Sequence, residues 1–148
     1  MNINYYIEPY TQIGGCQSQF LNWKSCLKQK GLNIRTDSNF LNSDLLHLFP
    51  VNNPSYSLAL VNKLNLPFIV STNYWSKSNL INNFKKYLIK KNLKNFKLSS
   101  RLHEHISRGL LFKKANFLIA NSIAEKEKLM NDFSLDEKKI IIIRNTVD

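Results

Sequence analysis

The sequence predicts an α/β fold: a doubly wound, mostly parallel sheet of about six strands, Rossmann-like in organisation. Short apolar runs without polar alternation are separated by segments with helical periodicity. This pattern is typical of parallel strands that helices cover on both faces. Right-handed crossovers then make a doubly wound sheet the natural closure. With 148 residues the chain has about the size of one domain, so we expect a single domain over residues 1–148.

The six strands are predicted at the apolar, β-prone runs of the chain. These runs are residues 3–7, 32–35, 45–49, 68–70, 117–120 and 140–143. After the first run, Phe20, Trp23 and Leu27 recur at helical spacing. Gly31 follows as a predicted C-cap, and Pro54 opens a second helix at its first turn.

Helical patterns also fill the second half of the chain. From about residue 79 to residue 114 the pattern indicates two helices, broken near residues 99–100. Ser122 and Glu125 have the spacing of a capping box, which predicts the start of another helix. By contrast, residues 37–43 are too few for a crossover helix, so we expect a trimmed connection there.

Positive charge is concentrated in one region. The formal net charge is +11, and residues 77–114 contain eleven Lys or Arg and one acid, Glu104, which makes +10. Within this region Lys86, Lys90, Lys94 and Lys97 recur at a spacing that places them on one helical stripe. A basic amphipathic helix can lie on an anionic membrane surface, and a solvated helix face explains the same pattern.

Composition also indicates a compartment. The start of the chain lacks a basic segment followed by an apolar stretch, and no run approaches the length of a membrane span. Cys16 and Cys26 lack the spacing of a metal or redox motif, so they are interpreted as free thiols in a reducing compartment. We therefore expect a cytoplasmic protein, with peripheral contact to the inner face of a membrane left open.

Three stretches resemble glycosyltransferase family 4. The first is Ile13-Gly14-Gly15 with the later Leu27-Lys28-Gln29-Lys30-Gly31. The second is Asp44-Leu45-Leu46-His47-Leu48 with Leu66-Pro67-Phe68-Ile69-Val70-Ser71-Thr72. The third runs from Lys114-Ala115-Asn116 through Ser122 and Glu125 to Asn145-Thr146-Val147-Asp148. Two positions depart from the family pattern: Thr146 replaces a glycine, and Thr72-Asn73-Tyr74-Trp75 stands where the family usually has a histidine directly after the fourth strand.

The resemblance implies a GT-B architecture, in which two Rossmann-like domains face each other across a cleft. The first domain binds the acceptor, and the second binds the nucleotide sugar and carries a pair of glutamates eight residues apart, which this chain lacks. The chain would then be the N-terminal, acceptor-side domain, with the C-terminal donor domain absent or supplied by another chain. The implied acceptor is a glycan or a lipid-linked molecule. No cofactor is implied; the nucleotide sugar is the donor substrate, and we expect no transfer by these residues alone.

Two loops supply the candidate acceptor-binding residues. Gly14 and Gly15 follow the first strand and open a helix, where a bare backbone and a helix N-terminus can approach a ligand. Asn73, Tyr74 and Trp75 follow the fourth strand at its carboxyl end, the edge at which open α/β sheets bind ligands. The aromatic side chains either stack on a sugar or lipid, or anchor the loop by packing.

The histidines do not suggest a metal site. His47 lies inside the third predicted strand, where a buried, hydrogen-bonded side chain is favoured over a catalytic one. His103 and His105 are two residues apart and point to different helix faces, so no metal pair is expected.

Two alternative functions without sugar transfer stay open. One is a non-catalytic, glycosyltransferase-like remnant that binds an anionic membrane or a protein partner through its basic helices. The other is a nucleic-acid binder, which only the charge suggests, since no known nucleic-acid-binding motif is evident.

Overall fold

The computed structural model describes residues 1–6, 15–37, 39–40, 42–74 and 100–144. The strands are β1 (Asn2–Tyr6), β2 (Asn33–Arg35), β3 (Leu45–Leu48), β4 (Phe68–Ser71), β5 (Phe117–Ala120) and β6 (Ile140–Ile142). The α-helices are α1 (Gly15–Gln29), α2 (Pro54–Leu64), α3 (Ser100–Lys114) and α4 (Ile123–Phe133), and a short 3-10 helix, Glu137–Lys139, precedes β6. The predicted strands are confirmed with ends that differ by a residue or two. Of the helical region predicted from residue 79, the second helix is confirmed, and the first lies outside the described residues.

All six strands form one sheet in the order β2-β1-β3-β4-β5-β6. Every neighbouring pair is parallel, so the predicted doubly wound, Rossmann-like α/β fold is confirmed. The order places the topological switch between β1 and β3, because the chain moves one way from β1 to β2 and the other way from β3 to β6. The carboxyl ends of all six strands therefore lie at one edge of the sheet.

Apolar side chains fill both faces of the sheet. On one face Phe20 of α1 packs with Ile3, Tyr5 and Ile34, and Trp23 and Leu27 pack against this cluster. The opposite face carries a larger core from α2, α3, α4 and the intervening strands. Its buried members include Leu46, Leu48, Val61, Val70, Leu111, Phe112, Leu118, Leu129 and Phe133. Alternate strand residues serve the two faces, which explains why the strands have no polar alternation.

Local signals set the helix ends. Gly31 has a φ of 75°, its N–H donates to Lys28 O (2.9 Å), and the Leu32 N–H donates to Leu27 O (3.1 Å). These two bonds form the Schellman motif that satisfies the last carbonyls of a helix. At the start of α2, Asn53 Oδ1 accepts from the N–H of Tyr56 (3.1 Å), and Pro54 occupies the first turn.

The connection from β2 to β3 crosses over β1 without a described helix, as the short segment predicted. Asn4 of β1 lies fully buried beneath it. Its Nδ2 donates to the carbonyl oxygens of Asp37 (3.2 Å) and Asn39 (3.3 Å). The Asp37 carboxylate pairs with Arg35 (2.8 Å), and the hydrogen bond from Arg35 lowers the pKa of Asp37. A polar residue in β1 thus holds the connection to the sheet through hydrogen bonds.

Candidate functional site

The carboxyl edge of the sheet holds the described part of the predicted site. Gly15 is the first residue of α1, so the predicted helix start at the glycine pair is confirmed. Asn73 and Tyr74 follow β4 directly. Gly14 and Trp75 lie outside the described residues, and their role stays a prediction.

Three side-chain amides meet at this edge; we call Gln19, Asn73 and Asn121 the amide cluster. Asn121 Nδ2 donates to Asn73 Oδ1, and Gln19 Nε2 donates to Asn121 Oδ1 (3.3 Å). Asn121 follows β5, and Gln19 comes from the second turn of α1. The cluster therefore joins elements that lie about a hundred residues apart in the chain.

The backbone at Asn73 adopts an uncommon conformation. Its φ of 39° lies in the left-handed region, which asparagine enters more readily than most residues other than glycine. This turn brings the Asn73 side chain back toward Asn121, and both side chains are only half-buried. Each amide carries both donor and acceptor atoms, so a half-buried pair can bind a ligand hydroxyl from either side.

A buried carboxylate lies beneath the amide cluster. Glu125 of α4 is 1% exposed. Its Oε1 accepts from Thr72 Oγ1 (2.7 Å) and from the Tyr74 N–H (2.5 Å), and its Oε2 accepts from the Asn121 N–H (2.7 Å). One side chain therefore fixes both loops that carry the amide cluster.

These bonds correct the predicted capping box in one respect. Ser122 Oγ does accept from the Glu125 N–H (3.1 Å), so the N-cap is confirmed. The Glu125 carboxylate, however, bonds to the N–H of Asn121 and to groups after β4, rather than to the N–H of Ser122. Burial explains the difference, because a buried carboxylate needs more than one donor and the β4 loop supplies two more.

Tyr74 points into the protein rather than along the edge. Its side chain is 4% exposed, its ring packs against Phe133 at 5.1 Å, and its hydroxyl donates to Asp132 (2.9 Å). The Arg108 guanidinium lies 5.9 Å from the ring centroid on α3. Tyr74 thus anchors the loop by packing. Among the described residues of this loop, Asn73 places its side chain beside the carboxyl edge of the sheet.

His47 is a core residue, as its position in the third strand predicted. It is 1% exposed, and its Nε2 lies 2.8 Å from Ser71 Oγ. The ring packs among Tyr5, Trp23 and Phe49. Burial among these apolar rings lowers the pKa of His47 to about 3 and raises the pKa of Tyr5.

The other two histidines diverge as predicted. His103 is exposed, and its Nδ1 lies 3.3 Å from Ser55 Oγ. His105 is buried and stacks on Phe133 at 4.8 Å. Within the described residues no three His, Cys, Asp or Glu side chains come close enough to share a metal ion.

The basic stripe cannot be placed on this framework, because Lys86, Lys90, Lys94 and Lys97 lie outside the described residues. The described part of the basic region is α3, which ends in the exposed Lys113 and Lys114. None of the described helices is long and apolar enough to cross a bilayer. Cys26 is an exposed free thiol.

No protein-family model matches the chain, and no curated protein matches it. The resemblance to glycosyltransferase family 4 therefore depends on the motifs of the sequence alone.

Sequence reasoning missed Asn121 as the partner of Asn73, and Gln19 as the partner of Asn121. One signal was available for Gln19, because it lies one helical turn before Trp23 and so flanks the buried face of α1. No local pattern relates Gln19 to Asn121, since the two residues meet only when α1 packs beside the carboxyl end of β5.

Proposed function

We propose that this chain is the acceptor-binding domain of a GT-B glycosyltransferase, with the amide cluster as part of the acceptor site. The single observation that carries the proposal is the pairing of half-buried Asn73 with half-buried Asn121 at the carboxyl edge of a parallel sheet. In open α/β folds that edge is where ligands bind. The motif resemblance to glycosyltransferase family 4 supports the same reading.

The charges of the site favour a neutral ligand. Helix N-termini attract anions, and α4 begins beside the amide cluster. The carboxylate of Glu125 already occupies the first turn of α4 and accepts three hydrogen bonds there. A second anion would be repelled by this carboxylate, whereas sugar hydroxyls can both donate to and accept from side-chain amides. An uncharged glycan portion of an acceptor fits this chemistry.

In this proposal the domain positions the acceptor hydroxyl, and the donor domain contributes the nucleotide sugar. Positioning alone accounts for a large part of the rate of such a transfer, because it removes the entropy loss of bringing two molecules together. Asn73 and Asn121 are binding residues in this scheme, and the described residues leave the base and the leaving-group contacts to other parts of the enzyme.

The proposal is tested by saturation-transfer NMR with a panel of neutral methyl glycosides. We expect at least one glycoside to bind the wild-type chain and to lose its signal in Asn73→Gly, since glycine keeps the left-handed backbone but lacks the amide. Asn65→Gly is the matched control, because Asn65 also has a positive φ (50°) but lies at the C-cap of α2, away from the carboxyl edge. Absence of binding by the wild-type chain, or equal binding by both variants, would refute the proposal.

The charge of residues 77–114 favours a second candidate: a glycosyltransferase-like chain that binds an anionic membrane surface. The net +10 in this region and the exposed Lys113 and Lys114 at the end of α3 are its support. The two candidates are compatible, since an acceptor carried on a lipid would be reached at a membrane surface.

A further inference from the structure

Two tyrosines stack at the carboxyl edge of the sheet, beside the end of β1. Tyr6 is the last residue of β1, and Tyr56 lies in the first turn of α2, the helix that follows β3. Their ring centroids are 5.9 Å apart, with 26° between the ring planes. The Phe40 ring lies 6.4 Å from that of Tyr6. We call Tyr6, Phe40 and Tyr56 the aromatic platform.

The aromatic platform lies at the topological switch of the sheet. The chain changes direction across the sheet between β1 and β3, and Tyr6 pairs with Leu48, the last residue of β3, across this boundary. Open α/β sheets bind ligands outside the carboxyl ends of their strands, at such a switch. The platform and the amide cluster are therefore two separate places along one ligand-binding edge.

Tyr56 exposes an aromatic surface at this edge. It is 53% exposed, although the Tyr6 ring stacks on it. Tyr6 and Phe40 are half-buried and pack against the larger core, so they support the exposed ring from the protein side. Phe117 is the other exposed Phe, Tyr or Trp among the described residues, but it begins β5 and lies at the opposite, amino edge.

The chain around the platform is uncharged. Residues 38–43 and 48–56 contain no Asp, Glu, Lys or Arg. The start of α2 also offers little to an anion, because Pro54 has no N–H. The Tyr56 N–H already donates to Asn53 Oδ1 (3.1 Å). These surroundings suit a neutral ligand better than a phosphorylated one.

We propose that the aromatic platform is a second acceptor subsite, which stacks one ring of a neutral oligosaccharide while another sugar of the same molecule binds the amide cluster. One face of a pyranose ring presents mainly C–H groups that pack on an aromatic ring, and its rim presents hydroxyls. Asn52 and Asn53 are exposed amides that precede α2, and each can make several hydrogen bonds. The inference rests on the proposed function for the class of its ligand.

The sheet sets the size of that ligand. β1 and β4 are separated by one strand, β3, so their axes lie about 10 Å apart at about 4.8 Å per strand spacing. A single sugar is too short to contact both the platform and Asn73, whereas a short oligosaccharide spans this distance. Affinity should therefore increase with the number of sugar units.

The test measures the Kd of neutral methyl glycosides of one, two and three sugar units by saturation-transfer NMR titration. We expect the trisaccharide to bind the wild-type chain at least about threefold more tightly than the monosaccharide, since stacking adds to its affinity. Tyr56→Leu keeps an apolar side chain but removes the ring, and it should lose this gain with length. Tyr56→Phe keeps the ring and should retain the gain.

Phe117→Leu is the matched control, because it makes the same kind of change at an exposed aromatic residue of the amino edge. It should keep the gain with length. Asn73→Gly should weaken binding of glycosides of every length, so the two subsites give different patterns of loss. Circular dichroism of each variant confirms that it is folded.

Three results would overturn the aromatic platform as a sugar subsite. If glycosides bind through Asn73 but show no gain with length, or a gain that Tyr56→Leu retains, the platform fails and the acceptor site stands. If the wild-type chain binds no glycoside, both fail. If adenosine or uridine binds more tightly than the trisaccharide and Tyr56→Leu abolishes this binding, the occupant is a nucleobase.

Discussion

Glu125 on α4 accepts a 2.5 Å hydrogen bond from the backbone N–H of Tyr74, so a helix side chain holds the loop that follows β4. The same carboxylate also accepts from the Asn121 N–H after β5. These bonds tie together the ends of two adjacent strands and keep Asn73 beside Asn121. The geometry of the amide cluster thus depends on a residue beneath it.

Replacing Glu125 with alanine should lower the free energy of unfolding by about 3 kcal/mol, because two buried donors and one part-buried donor lose a charged acceptor. The donors are Thr72 Oγ1 and the N–H groups of Tyr74 and Asn121. Urea denaturation measures the change. Glu127→Ala is the matched control, since Glu127 is an exposed glutamate of the same helix. If both variants lose equal stability, the buried carboxylate is not the organising group.

Stability should depend on pH through His47. Its pKa is about 3 in the folded chain, where burial disfavours the charged form, against about 6.5 when unfolded. The folded state therefore binds fewer protons, and this stability is fully present above pH 6.5 and is lost as pH falls toward 3. The loss amounts to about 1.4 kcal/mol per pH unit in that window.

Denaturation curves at pH 6.5, 5.5 and 4.5 separate His47 from the other titrating groups. His47→Gln should flatten the slope, because glutamine does not titrate and can still bond to Ser71 Oγ. A slope that His47→Gln leaves unchanged would argue against a neutral, buried His47.

The stability lost on substituting Gly31 should depend on the backbone conformation of this residue alone. Its φ is 75°, and a Cβ placed there would meet no atom within 4 Å. Gly31→Ala should therefore cost about 1 kcal/mol of stability, and Gly31→Asn less, since asparagine tolerates the left-handed region better. Thermal unfolding measures both. Equal losses from alanine and asparagine would point to something other than backbone strain.

Membrane binding should depend on the predicted basic stripe if the second candidate function holds. Lys90→Glu with Lys94→Glu should reduce co-sedimentation with vesicles containing anionic lipid by at least about tenfold, since each lysine near the surface contributes about 1 kcal/mol. Lys28→Glu with Lys30→Glu changes the net charge equally at the end of α1 and should bind nearly like the wild-type chain. Equal losses in both variants would indicate a general effect of net charge.

The sheet was predictable because its signals are local. The run of isoleucines that became β6, the glycine that ends α1 and the proline that opens α2 each act through their own conformational preferences. That the described residues between β2 and β3 form no helix follows from the length of the connection. The hydrogen bond by which the buried amide of Asn4 holds this connection is not visible in the sequence.

The site was less predictable because its contacts are distant in the chain. Its place after β4 predicts Asn73 as a site residue, yet its partner Asn121 is identifiable only once β4 and β5 are neighbours. The same position predicts Tyr74, whose ring lies in the core because Asp132 provides a buried acceptor for the hydroxyl. A capping-box spacing marked Glu125, but it did not reveal which donors the carboxylate would reach.

The strand order has a consequence for biosynthesis. β1 pairs with both β2 and β3, and each later strand adds beside the one made before it. A chain emerging from the ribosome can therefore extend the sheet in the order of translation. The longest delay between the synthesis of two neighbouring strands separates Ser71, which ends β4, from Phe117, which begins β5. At about 5–20 residues per second the β4 edge is exposed for several seconds, and this is the interval in which a nascent chain is most open to pairing with the wrong strand.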